Sequence, residues 1–237
     1  MLPIAIIAGG LGTRLAPITE TVPKALVPVN GRPFIDHQLT LLRSNGITDV
    51  VLCLGYLGEM IEAYLGDGSR FGCSIAYSYD GPQRIGTAGA LAKALPLLGP
   101  RFFMTYGDSY LDCDYRSIEA SFVHSGQPAL MTVFCNDGAI VPSNVLYRDG
   151  QIVAYEKLRP SPDMRHVDYG LSVFDQAVFA DIPLDRPTDL AVVFQRLVSE
   201  HALAGYEVPT RFYEVGTPEG IAQTEAYLSV HNLRAGK

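Results

Sequence analysis

The sequence predicts an α/β protein built around a parallel sheet. Strand-like and helix-like patterns alternate through the first half of the chain. The apolar run Ile4-Ala5-Ile6-Ile7-Ala8 breaks abruptly into Gly9-Gly10-Leu11-Gly12-Thr13-Arg14, the pattern of a buried strand opening into a loop that holds phosphates. A chain of 237 residues, 48% of them apolar, is long enough for one large core.

In chain order, the first strand is predicted over 4–8 and a helix over 33–44, with Pro33 in its first turn and Asn45-Gly46 as its stop. A strand over 50–54 precedes a helix over 58–65, where Met60, Ile61, Tyr64 and Leu65 share a face until Gly66-Asp67-Gly68 breaks it. Residues 74–79 alternate as a strand should, 87–98 read as an alanine- and leucine-rich helix, and 102–106 as a core strand ending at Gly107-Asp108. A helix over 115–125, capped by Asp114, and a strand over 129–135 complete this half. The pattern then changes. Asp149-Gly150 sits between 145–147 and 152–155 as the turn of a hairpin, Val173-Phe174 closes another strand, and 190–201 and 220–233 read as helices. One domain over 1–237 is expected, with 1–136 as a nucleotide-binding half and 137–237 as an inserted half that completes one wall of a cleft.

The net charge of −7 argues against a nucleic-acid partner, because that binding needs clustered cations. No apolar run reaches membrane-spanning length, so no membrane partner is expected. The opening Met1-Leu2-Pro3 lacks a basic region and a signal-like core, so a cytoplasmic location is expected. Cys53, Cys73, Cys113 and Cys135 show no C-x-x-C spacing and read as reduced, mostly buried thiols. His37 and His124 read as partly exposed residues without a ligand role.

The chemistry concentrates in a few places. Gly9, Gly10 and Gly12 let backbone N–H groups approach an anion, Arg14 offers a fork of donors matched to phosphate oxygens, and Lys24, held by Pro23, adds a second cation. Two better-known glycine loops do not fit. The dinucleotide fingerprint requires a glycine where Leu15 stands, and G-x-x-x-x-G-K-[ST] occurs nowhere. Asp108 lies just past a strand, where open α/β sheets bind ligands, and a carboxylate there can hold Mg²⁺ together with substrate phosphates. Asp112 could extend such a site, whereas Asp114 reads as the helix cap.

The segment from Gly9 to Thr19, continued by Pro23-Lys24, resembles the G-G-x-G-T-R-L-x-P-x-T…P-K signature of the sugar-1-phosphate nucleotidyltransferases. The resemblance runs in order to Thr217 and so spans nearly the whole chain. Short forms of this size include heptose-1-phosphate guanylyltransferases and N-acetylmuramate-1-phosphate uridylyltransferases, and Thr105-Tyr106-Gly107-Asp108 also resembles glucose-1-phosphate cytidylyltransferases. The resemblance implies a three-layer Rossmann-like mixed sheet and a reaction of NTP with sugar 1-phosphate, heptose or hexose favoured, to give NDP-sugar and pyrophosphate. By the same resemblance Ala8, Gly9, Gly10, Gly12, Thr13, Gln83, Gly86 and Thr87 meet the nucleotide. Arg14, Lys24 and Lys157 are its catalytic cations, Asp108 and Glu214 hold Mg²⁺ or Mn²⁺, and Gly107, Glu156, Asp168 and Gly170 line the sugar site. Glu214 stands where the family usually has an aspartate, and Asp168 where many relatives carry an asparagine. Ile140–Val145 replaces an R-Y-G-like segment, so the departures fall on the sugar side. The expected partners are the two substrates, with a homo-oligomer left open. Two other readings stand beside this one. A cytidylyltransferase for a non-sugar phosphate such as phosphocholine would want an aromatic cage, which Tyr110, Tyr155 and Tyr169 could supply. A non-catalytic nucleotide-sugar sensor would be expected to lose Arg14 or Lys24, and both are present.

Overall fold

The computed structural model describes residues 1–235 apart from 137 and 139, and only the backbone of 232–235. The strands in chain order are β1 (Ile4–Ile7), β2 (Pro28–Val29), β3 (Arg32–Pro33), β4 (Asp49–Leu54), β5 (Ser74–Tyr79), β6 (Arg101–Tyr106) and β7 (Ser109–Tyr110). They continue with β8 (Ala129–Cys135), β9 (Val145–Arg148), β10 (Gln151–Tyr155), β11 (His166–Asp175), β12 (Leu203–Glu207) and β13 (Tyr213–Glu214). Six α-helices are described: α1 (Phe34–Ser44), α2 (Gly58–Leu65), α3 (Gly86–Ala94), α4 (Tyr115–Ser125), α5 (Leu190–Ser199) and α6 (Pro218–Ala235).

Among the described residues one nine-stranded sheet runs β5-β4-β1-β6-β11-β8-β12-β10-β9. Strands β5, β4, β1 and β6 are parallel, and β11 enters antiparallel between β6 and β8. Helices cover both faces, which is the three-layer mixed sheet expected. On one face Ile4 and Ile6 of β1 pack with Ile35 and Leu39 of α1, Ile61 of α2 and Ile118 of α4. On the other, Ala5 of β1 packs with Leu91 of α3 and Phe194 of α5. Strand alternation sends neighbouring residues of β1 to opposite layers, so a strand buried on both sides reads as an unbroken apolar run.

The helices follow from local chemistry. In α5, Leu190, Val193, Phe194 and Leu197 recur at i, i+3, i+4 and i+7, and all four are buried. The Asp189 carboxylate accepts from the Ala191 N–H at 2.8 Å and caps the helix. Asp114 caps α4 as the sequence predicts, accepting at 3.1 Å from the N–H groups of Arg116 and Ser117, and Gly126 ends that helix at φ 63°.

Several boundaries differ. Pro33 belongs to the short β3 rung and precedes α1 rather than forming its first turn, since the chain arrives extended from β2. The helix predicted over 87–98 ends at Ala94 and tightens into a 3-10 turn over Leu95–Leu97, because Pro96 has no N–H to continue it. The strand glimpsed at Val173-Phe174 is the ten-residue β11, which carries Asp168 and Gly170 within it. Strand β12 is absent from the sequence reading. Its Leu-Ala-Gly-Tyr-Glu lacks the β-branched signature, and parallel pairing with β8 makes it a strand. His37 is buried, not partly exposed, with Nε2 at 2.9 Å from the Val29 carbonyl oxygen. No described helix is long and apolar enough to cross a membrane.

Candidate active site

The carboxyl ends of β1, β4, β5 and β6 open onto a cavity of about 200 Å³. Ala8, Gly9, Gly10, Lys24, Gly86, Thr87, Gly107 and Asp108 all line it. The glycines do different work there. A Cβ on Gly9 would stand 3.1 Å from the Gly55 nitrogen, so this position lets the loop after β1 cross the loop after β4. A Cβ on Gly10 would meet nothing within 4 Å, so its backbone faces open space where an anion can approach. Gly12 adopts φ 65° ahead of the Thr13–Leu15 turn, and its carbonyl accepts from the Thr19 hydroxyl at 2.8 Å. Gly12, Thr13 and Arg14 lie outside the cavity lining, and Gln83 is exposed beside it.

Lys24 and Asp108 meet directly, with Nζ 2.9 Å from Oδ2 and both side chains about one-fifth exposed (18% and 23%). The other carboxylate oxygen, Oδ1, accepts from the Ser109 hydroxyl at 3.3 Å. The G-T-A segment has a structural duty that the sequence does not reveal. Thr87 Oγ1 accepts from the Leu190 N–H at 2.7 Å, so it caps α5 and not its own helix. Gly86 has φ 77°, and a Cβ there would stand 2.4 Å from the Thr188 carbonyl oxygen.

Sequence reasoning missed Asp80, Arg84, Cys53 and Tyr106, which also line the cavity. Asp80 follows β5 just as Asp108 follows the β6 end, so the same strand-end signal marked it. Burial raises its carboxyl group against the pull of Lys93 and Arg84. Burial also pushes the Cys53 thiol up to about 12, which keeps it protonated and unreactive.

The residues expected on the acceptor side lie elsewhere. Asp168 Oδ1 accepts from the Gly170 N–H at 3.0 Å, while the Asp168 N–H donates to Asn144 Oδ1 at 3.0 Å. Burial raises the Asp168 carboxyl to about 6, with Gly170 and Lys157 acting against it. A Cβ on Gly170 would stand 3.7 Å from the Tyr106 ring, so Tyr106 separates Gly170 from the cavity. Glu156 Oε1 accepts from the Leu158 N–H at 2.8 Å and the Arg159 N–H at 3.4 Å, closing its own turn. Lys157 Nζ lies 3.4 Å from Asp189 Oδ2, and both side chains are more than half exposed. Glu156, Lys157, Asp168 and Gly170 are therefore not among the residues that line the cavity.

Glu214 comes near Asp108 through the backbone. Strand β13 pairs antiparallel with β7, placing Glu214 opposite Ser109, and the Val215 N–H donates to the Asp108 carbonyl at 2.9 Å. Its side chain lines a neighbouring cleft with Arg211 and Thr217. A Cβ on Gly216 would stand 3.2 Å from an Arg14 nitrogen and 3.5 Å from Glu214 Oε1, so both side chains converge there. Asp112 accepts a hydrogen bond from the Tyr227 hydroxyl and is engaged away from Asp108. Asp108, in the turn between β6 and β7, and Glu214, on β13, offer hard oxygen donors of the kind a Mg²⁺ ion takes when phosphates complete its shell. The donor chemistry suits the ion, while Asp108 pairs with Lys24 and the Glu214 side chain lines the neighbouring cleft.

The chain belongs to the nucleotidyl transferase family, whose profile matches residues 4–228. It is 44% identical over 113 residues to an N-acetylmuramate alpha-1-phosphate uridylyltransferase from Neisseria meningitidis serogroup B, covering 47% of this chain and 49% of the relative. It is 30% identical over 221 residues to the mannose-1-phosphate guanyltransferase beta-A of Xenopus laevis, covering 90% of this chain and 61% of that one. A UTP–glucose-1-phosphate uridylyltransferase from Synechocystis matches at 30% identity over 81% of this chain and 54% of the relative. The chain thus spans about half to three-fifths of the length of these relatives. Among solved structures, HddC from Yersinia pseudotuberculosis complexed with GMP-PN superposes with a TM-score of 0.79 at 21% identity, covering 96% of this chain and 100% of that one.

Proposed function

We propose that this chain is a sugar-1-phosphate nucleotidyltransferase that converts an NTP and a hexose or heptose 1-phosphate into NDP-sugar and pyrophosphate. The observation that carries the reading is the Lys24–Asp108 pair at 2.9 Å, set in the wall of a cavity that Gly9 and Gly10 also line. The named relatives all act on sugar 1-phosphates, which favours a sugar over phosphocholine as acceptor. Residues 1–136 then bind the nucleotide and 137–237 wall the acceptor side.

In this mechanism a phosphate oxygen of the sugar phosphate attacks the α-phosphorus in line and pyrophosphate leaves. Positioning and charge neutralisation carry such a reaction, without a covalent intermediate. Gly10 presents open backbone to the phosphates, and Lys24 and Arg14 neutralise the triphosphate and the departing pyrophosphate. A divalent cation, Mg²⁺ or Mn²⁺, when bound, supplies charge neutralisation on the phosphate oxygens. Asp108 and Glu214 would hold it. Lys157 leaves its exposed pair with Asp189 to reach the acceptor phosphate, a low-cost change because exposed ion pairs are weak. Asp168 and Glu156 accept from sugar hydroxyls, and Gln83 and Thr87 meet the base and ribose.

The deciding experiment is pyrophosphate release across five NTPs and a panel of sugar 1-phosphates, with phosphocholine alongside. Turnover with at least one sugar phosphate and none with phosphocholine is expected. Faster turnover of phosphocholine than of every sugar would refute the proposal. Loss of one contacted hydroxyl should weaken a substrate, because Asp168 or Glu156 then gains nothing in exchange for the water it gave up.

A further inference from the structure

A second cluster of ligating groups stands away from Asp108, at the end of three adjacent strands. Cys135 ends β8, His166 begins β11, and Glu207 ends β12. These strands are neighbours in the order β11-β8-β12. His166 is the direct cross-strand partner of Cys135, and Glu207 pairs with Val133, two residues before Cys135 on the same face. One ligating atom from each residue, sulfur, imidazole nitrogen and carboxylate oxygen, lies within 4.8 Å of the other two. His166 Nε2 and Glu207 Oε1 are already 3.4 Å apart. Around a tetrahedral Zn²⁺ with ordinary bond lengths, ligand atoms stand about 3.4–3.6 Å from each other. The nitrogen–oxygen pair therefore has the required separation, and the sulfur needs only a small side-chain adjustment.

We infer that Cys135, His166 and Glu207 form a binding site for a thiophilic divalent cation of the Zn²⁺ class. The donor set decides the class of metal. A thiolate and an imidazole select Zn²⁺ over Mg²⁺, which prefers oxygen throughout. Cys135 and His166 are half-buried while Glu207 is 47% exposed, so the fourth position faces water. The Tyr147 ring meets the imidazole edge-on, with centroids 5.2 Å apart, and limits its rotation. Binding requires Cys135 to lose its proton and His166 to be neutral, so uptake releases a proton and strengthens with pH. The ion would tie the ends of three strands together. One of them, β11, carries Asp168 two residues further along, so the site would brace the acceptor wall without touching it.

Co²⁺ titration of the full chain tests this, because a thiolate bound to Co²⁺ absorbs in the near ultraviolet and a carboxylate does not. The wild type should develop that band and saturate at about one equivalent, and Zn²⁺ should displace it while Mg²⁺ should not. Cys135→Ala and Cys135→Ser should each abolish the band, and His166→Ala and Glu207→Gln should weaken affinity by tenfold or more. Asp108→Asn and Cys53→Ala should leave the band intact, separating this site from the cavity and from the other thiol that lines it. No band in the wild type, or a band that survives both Cys135 variants, overturns the inference. Neither result depends on the proposed activity, because the readout is a spectrum.

Discussion

The residues proposed for the nucleotide and those proposed for the acceptor are held by different means. On the proposed nucleotide side, backbone pins backbone around the Lys24–Asp108 pair. The Ala8 N–H donates to the Cys53 carbonyl at 2.9 Å, the Gly107 N–H donates to the Ile7 carbonyl at 2.9 Å, and Gly9 packs against Gly55. On the acceptor side, side chains satisfy neighbouring groups. Glu156 closes its own turn, Lys157 pairs with Asp189, and Asp168 accepts from Gly170. The first arrangement fixes the backbone on either side of the glycine loop after β1, which would hold that loop ready if it binds phosphates as proposed. The second leaves its residues engaged with protein partners, so binding an acceptor exchanges one set of contacts for another. Preorganised donors contribute most to catalysis, and contacts that must first be released contribute less.

The largest expected effect tests the rigid side. Asp108→Asn should lower kcat by about 100- to 1,000-fold, the scale of losing one charge-stabilising group, with an unchanged thermal melt. Stripping divalent ions from the wild type should abolish pyrophosphate release. Full activity in chelator would remove the metal from the mechanism.

The contrast sharpens with the cations. Lys24→Ala and Arg14→Ala should each cost about 2–4 kcal/mol in kcat/KM. Lys157→Ala should act mainly on the KM for the sugar phosphate. If Lys157→Ala instead lowered kcat as far as Lys24→Ala, the acceptor side would be as preorganised as the other.

Two glycines separate support from contact. Gly86→Ala places a methyl group against the Thr188 carbonyl at φ 77°, and should destabilise by about 2–3 kcal/mol in denaturant melts. Gly10→Ala meets nothing within 4 Å, so its melt should match the wild type while the KM for NTP rises. A destabilised Gly10→Ala would contradict the assignment of open backbone to that position.

The smallest effect is a pH dependence on the flexible side. The Asp168 carboxyl is raised from 3.8 to about 6, so the folded protein favours its protonated form. The stability this contributes is complete below the unfolded value and is lost as pH rises through about 6. Asp168→Asn keeps the bond to Gly170 and cannot ionise. It should therefore be more stable than wild type by about 1–2 kcal/mol at pH 8 and not at pH 3.5. If Asp168 accepts sugar hydroxyls as a carboxylate, as proposed, the acceptor KM should fall as pH rises through about 6, and the variant should flatten that change. An identical pH profile for the variant would show that Asp168 stays ionised throughout.

The strand end and glycine loop after β1 were legible because their requirements are local. A buried strand must end, a loop that crosses another strand's loop needs glycine, and a carboxylate just past a strand points to the ligand edge. Asp80 met that last condition and was missed, since a strand-end acid is easily read as the start of a loop. A hydroxyl at a helix start usually caps that same helix, and Thr87 does not. Only the approach of α5 shows that its partner is the Leu190 N–H, 103 residues away in sequence.

From the sequence alone came the α/β class, the order of the first elements and the phosphate loop, because periodicity and glycine spacing are set by neighbours along the chain. The tertiary structure alone decided that β11 enters antiparallel between β6 and β8, and that β12 is a strand at all. It also decided that Lys157 faces Asp189 and that Cys135, His166 and Glu207 meet. Those juxtapositions depend on pairing between segments distant in sequence, and cross-strand pairing leaves no periodic trace in either strand.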